Sequence, residues 1–247
     1  VSKFRDFLPE IMGVLIALAV LNVWYLSSLA ITESVVPKRY DYFLQFAGVL
    51  VGGFIGAYSA FQLRRYEETV AERRRQENAL NQALFIFIRQ MNAIMGLKRD
   101  FDKFKTPFSR GLSLPAMKPP DYADLKHDLK ELYFLLEKRE PQLLMEITIE
   151  QERFEQALNA IAIRNDFYVN EVQPALSHHA LNGQPLPLSE FEEKLGERLF
   201  HGAINGAQSM CELVDSSNQS LPITYKKLRE TAVALFPGAR FVAWDQT

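Results

Sequence analysis

One cysteine in 247 residues, Cys211, excludes an internal disulfide framework and fits a reducing compartment. The chain also lacks the short motifs that carry common chemistry. It has no G-x-x-x-x-G-K-[ST] phosphate loop, no G-x-G-x-x-G turn, no C-x-x-C pair and no H-E-x-x-H. Its four histidines are His127, His178, His179 and His201. His178 and His179 fall in a predicted loop without carboxylates at ligand spacing, and Glu197 with His201 does not make a metal motif. Cys211 lies between Met210 and Leu213 with no activating base beside it, so it reads as a small buried hydrophobe. A formal net charge of −2 argues against bulk electrostatic capture of nucleic acid. The expectation is no catalytic residue, no cofactor, no metal and no small-molecule substrate: not an enzyme.

Charge is missing altogether from two stretches, Ile11–Ile31 and Tyr42–Leu63. Each is long enough to cross a hydrocarbon core of about 30 Å as a helix. Thr32–Asp41, with Pro37, Lys38 and Arg39, joins them, which predicts a transmembrane hairpin. The first stretch exceeds the roughly 7–15 apolar residues of a signal peptide, and Trp24 and Tyr25 suit a retained helix near an interface. Lys3 and Arg5 flank one end of the hairpin, and Arg64, Arg65, Arg73, Arg74 and Arg75 follow the other. By the positive-inside rule both termini face the cytoplasm.

Glycine costs helix stability in water, yet Gly48, Gly52 and Gly56, followed by Ala60, fall on one helical stripe of the second span. Such a small-xxx-small face permits close backbone approach within lipid, either to the other span or to another chain. Asn22, near the middle of the first span, needs a hydrogen-bond partner, which either reading can supply. Neither span offers a charged ring, so an Asp/Glu-type ion filter is excluded. A pore would be lined by Asn22, Ser27, Ser28, Gln45, Ser59 and the glycine backbone.

The remainder reads as helical and, at 48% apolar and 23% charged for the whole chain, too polar for a polytopic protein. The boundaries expected are a hairpin over 1–63, a long amphipathic helix over 64–104 and a cytoplasmic helical domain over 105–247. Gln62–Phe104 has no proline, and Leu80, Leu84, Phe87, Met91, Ile94 and Phe101 recur at 3-4 spacing, predicting an interface stripe. The run Ala83–Ile88 is apolar all round and calls for covering helices. Thr106–Pro120 is a proline-rich loop; Asp121 is the expected N-cap of a helix to about Arg139 that buries Leu125, Leu129, Leu132 and Leu136. Pro141 opens a helix to about Val172, limited by Pro174, with a second loop over Ala175–Leu188. Ser189 and Glu192 form a capping box for a helix to about Asp215. Ser220 and Pro222 start the last helix, and the tail Ala239–Thr247 either docks or awaits a partner. Arg64 and Arg65 read as head-group anchors. Arg73, Arg74 and Arg75, among Glu67, Glu68, Glu72 and Glu77, read as a salt-bridged face, a phosphate-bearing partner being the alternative.

From Gly48 to Phe104, a glycine-rich second span, Arg64-Arg65 and then a mixed-charge amphipathic helix, the chain resembles the two-transmembrane effectors of bacterial antiphage defence, SLATT-type or retron-associated. That resemblance implies a toxin of abortive infection, held inactive by a cytoplasmic protein complex. On release its spans would oligomerise and disrupt the membrane. In the retron version the partner would be a reverse transcriptase carrying its small DNA. A non-toxic scaffold that tethers a cytoplasmic enzyme or nucleoprotein to the membrane fits the same residues.

Overall fold

A computed structural model describes residues 8–33, 40–117, 122, 124–183 and 186–244, and all regular structure among them is helical. Lys3, Arg5, Pro37, Lys38, Arg39, Pro119, Pro120, Asp121 and Pro185 lie outside the described residues, and so do the readings placed on them. The elements are α1 (Leu8–Thr32), α2 (Tyr40–Phe101), a π-helical turn (Ser109–Ser113), α3 (Phe134–Glu137) and α4 (Pro141–Phe167). A second π turn (Tyr168–Val172), α5 (Gln173–His178), α6 (Leu188–Leu195) and α7 (Glu197–Leu235) follow. Contacts divide the chain into two units at Arg74/Arg75, inside α2.

In the first unit, α1 and the opening turns of α2 are each long and apolar enough to cross a membrane. Among the described residues many of their large side chains stand exposed: Leu21, Val49 and Phe54 are 63%, 71% and 74% exposed. Apolar area on this scale requires a non-aqueous surrounding or a partner. Three polar side chains on α1 donate hydrogen bonds within the helix. The Asn22 amide donates to the Leu18 carbonyl at 3.0 Å, and the Ser27 and Thr32 hydroxyls donate to Val23 and Ser28 at 2.7 and 2.8 Å.

The second unit is built on the back half of α2. Leu80, Leu84, Phe87 and Ile94 are wholly buried, and Met91 and Phe101 nearly so. They form one core with Ile147, Phe154 and Ile161 of α4 and Val214, Leu221 and Leu228 of α7. A smaller core holds Val172, Leu176, Phe191 and Phe200. The apolar spacing of α2 therefore marked buried positions correctly, and the all-round apolar run is covered as expected.

Four boundaries differ from the sequence reading. Residues 124–133 are turns, not helix, and only Phe134–Glu137 is α-helical before Arg139. Leu125 and Leu132 are buried, but Leu136 is half exposed. The Asp128 carboxylate accepts the backbone N–H groups of Lys130 and Glu131 at 3.1 and 3.4 Å, which competes with helix hydrogen bonding. Two buried glutamines hold the same strap. Gln90 donates to the Leu125 carbonyl at 2.9 Å, and Gln151 accepts from the His127 N–H at 3.3 Å.

Pro174 does not end the fourth helix. The Gln173 N–H bonds back to Tyr168, five residues earlier, so the π turn absorbs the change of register. Pro174 then sits in the first turn of α5, where its missing N–H costs nothing. The helical run continues to His178, and the loop begins at His179 rather than Ala175.

The capping box is also absent. Ser189 lies inside α6, whose N-cap is Pro187 with no side-chain cap bond. Gly196, at φ 76°, breaks the chain between α6 and α7, a conformation that L-residues with a Cβ resist. Finally, α7 runs through Ser220 and Pro222 to Leu235. Leu221, Thr224 and Leu228 are buried on its face, and Ser220 donates to the buried Glu150 carboxylate of α4 at 2.6 Å. Packing there overrides the roughly 3 kcal/mol a mid-helix proline costs.

The tail docks through residue 244. Phe241, Val242 and Trp244 rest on the core. The Asn81 side chain accepts the Val242 N–H at 3.0 Å and donates to the Arg240 carbonyl at 3.2 Å. The Tyr225 hydroxyl donates to the Val242 carbonyl at 3.2 Å and accepts the Trp244 N–H at 2.9 Å. Asn81→Ala is expected to lower stability by about 1–2 kcal/mol, from two lost hydrogen bonds, and to expose the tail to carboxypeptidase. An unchanged digestion rate would show that Asn81 does not hold the tail.

Candidate functional site

Gly48 is the one glycine of the stripe that packs within the chain. A Cβ there would stand 3.0 Å from the Trp24 ring of α1. At Gly52 and Gly56 a Cβ would meet no atom within 4 Å among the described residues. An apolar groove of about 550 Å³ remains between Trp24, Val20 and Ser27 of α1 and Gly48 and Val51 of α2. The chain thus fills only part of its own small-residue face. Ala60 and Ser59 are exposed as well. The Asn22 amide donates one hydrogen bond inside α1, to the Leu18 carbonyl.

The stripe Leu80, Leu84, Phe87, Met91, Ile94 and Phe101 is used up by the chain's own core and is not a surface between chains. The same spacing suits both purposes, and sequence could not separate them. The arginines are exposed and partly paired. Arg64 meets Glu68 at 3.0 Å. Arg75 forms a two-point pair with Glu131 at 2.7 and 2.8 Å, which holds the Glu131 carboxyl below its ordinary range. Arg73, Glu72 and Glu77 also have partners. Arg65 and Arg74 make no ion pair among the described residues. Of the arginines read as a salt-bridged face, Arg75 pairs with Glu131, outside the glutamates of that run, while Arg64, read as a head-group anchor, pairs with Glu68.

Two buried polar groups escaped the sequence reading. His127 is buried against the Phe87 ring, with centroids 4.5 Å apart. Neither ring nitrogen has a partner among the described residues, and burial pushes its pKa down to about 4. The Gln90 carbonyl oxygen nearby is likewise unpartnered, while its amide donates to Gln151 at 3.0 Å. Arg164 is the second: a guanidinium 4% exposed near the end of α4. Its partners are backbone carbonyls around the first π turn, at Arg110, Gly111, Leu114 and Pro115. Its own spacing gave no signal, because those partners lie about fifty residues away.

Among the described residues no His, Cys, Asp and Glu gather as a metal site. His178 and His179 are exposed and stacked on each other at 4.8 Å. His201 meets Glu192 at 3.0 Å on the surface. Cys211 is buried, and burial pushes its thiol up, away from nucleophilic use. No family model, curated protein or solved structure matches the chain.

Proposed function

We propose that this protein is a membrane-disrupting effector of bacterial antiphage defence, seated in the inner membrane by a two-helix hairpin with both termini cytoplasmic. The observation that carries this reading is the open glycine face: Gly52 and Gly56 on an exposed apolar helix, where a Cβ would meet no atom within 4 Å among the described residues. Within lipid, helices associate by close packing rather than by hydrophobic force, and an unfilled small-residue face supplies that contact. One hairpin has too few helices to enclose a pore, so activity calls for a homo-oligomer. The second unit serves as the sensing half, restrained by a cytoplasmic protein partner such as a reverse transcriptase–nucleic acid complex. Release of that partner lets the spans assemble.

Gly52→Leu and Gly56→Leu are each expected to abolish depolarisation of expressing cells, read with a voltage-sensitive dye, while insertion and expression stay intact. Depolarisation at the parent's level by both variants would end the packing mechanism. A parent protein that inserts soundly and leaves the potential intact would favour the second reading, a non-toxic scaffold. The exposed Arg65 and Arg74 support that reading equally.

A further inference from the structure

Between α4, the second π turn and α7 lies a cavity of about 390 Å³, within the size range of small-molecule sites. Its walls are mostly apolar: Ala160, Gly202, Ala203 and Gly206 leave the space, between aliphatic side chains and the rings of Phe167 and Tyr168. The two helix glycines have different reasons. A Cβ at Gly202 would press on the Phe167 ring at 3.1 Å, so packing excludes it. A Cβ at Gly206 would meet nothing within 4 Å. Alanine there would favour α7 by about 1 kcal/mol, so the fold itself does not require that glycine; what it adds is space.

Arg164 lines the same cavity. A buried guanidinium is normally matched by an anion. Here every hydrogen bond goes to a neutral oxygen: four backbone carbonyls and the Asn165 side-chain amide at 3.5 Å. The Tyr168 ring face lies 4.3 Å from its central carbon. No carboxylate pairs with it among the described residues, and Nε makes no hydrogen bond. The site therefore holds one uncompensated positive charge, one unused donor and an apolar chamber beside them.

We propose that this cavity binds a small soluble anion with an apolar body, a carboxylate or phosphate ester on a ring or short hydrocarbon chain, its charge against Arg164 and its body along Gly206. A charge-assisted hydrogen bond from Nε would supply the missing counter-charge. The ligand is bound, not transformed: the hydroxyls in the lining, Ser209 and Tyr168, have no carboxylate, histidine or cysteine beside them there. The proposal stands apart from the membrane role: binding is measured on the protein, whatever the spans do.

The test uses the full-length protein in lipid nanodiscs, with 1-naphthoate, 1-naphthyl phosphate and the neutral 1-naphthylmethanol as probes in equilibrium dialysis. Parent protein is expected to bind at least one of the anions saturably, with one equivalent. The alcohol should bind at least tenfold more weakly. Gly206→Leu, whose Cβ would meet no atom within 4 Å among the described residues, should weaken the anion at least tenfold in the same nanodiscs, with an unchanged or higher unfolding temperature. Absence of saturable anion binding to the parent overturns the proposal, as does equal binding of the alcohol. If Gly206→Leu folds and binds like the parent, the site is elsewhere. Should that variant fail to fold, the comparison of anion with alcohol on the parent still decides.

Discussion

Arg164→Met is expected to lower the stability of the second unit by about 3–5 kcal/mol, the largest effect of any single change named here. The guanidinium gathers the carbonyls of Arg110, Gly111, Leu114 and Pro115, and no other side chain stands in for it at those oxygens. Methionine fills similar volume but leaves those four carbonyls without the donor they share, and each unsatisfied buried group costs about 1–3 kcal/mol. Arg164→Lys should recover little. One ammonium cannot reproduce a planar fork spread over four oxygens. Urea unfolding of the full chain in detergent, followed by circular dichroism, gives the difference directly. A loss below about 1 kcal/mol for the methionine variant would mean that the turn holds its shape without the guanidinium.

Stability should also fall in mild acid through His127. Its folded pKa, about 4, lies below the ordinary 6.5, because burial disfavours the charged ring and no acceptor or carboxylate offsets that. The unfolded chain therefore takes up a proton below pH 6.5 while the native protein does not. The contribution is intact above pH 6.5, declines as pH falls from 6.5 to 4, and is fully lost below 4. The gap between the two pKa values corresponds to about 3 kcal/mol. Carboxylates titrate in the same range, so the difference between parent and His127→Phe isolates the histidine. The variant is expected to be the more stable at pH 4.5 by about 2–3 kcal/mol and near the parent or slightly above it at pH 7.5. A parent-to-variant difference that stays constant across this range would show that the ring is already hydrated.

The sequence by itself determined the parts ruled by local composition and period. Two uncharged stretches became helices long enough to cross a membrane, with most of their described large apolar side chains exposed. The 3-4 spacing from Leu80 to Phe101 became a buried stripe, and Pro141 opened its helix. These features are legible because a helix repeats every 3.6 residues whatever lies around it.

Tertiary structure decided the rest, through bonds between residues far apart in the chain. The leucine spacing over 125–136 suggested a helix, but Asp128, Gln90 and Gln151 took the backbone groups that a helix needs. Pro222 suggested a start, yet burial of Leu221 and Leu228 against α4 carried α7 straight through it. Whether the stripe on α2 faces its own chain or another was equally beyond local pattern, since either face is apolar at the same period. The charge at Arg164 and the space at Gly206 meet only because α4 and α7 pack side by side, and no spacing in one dimension records that proximity.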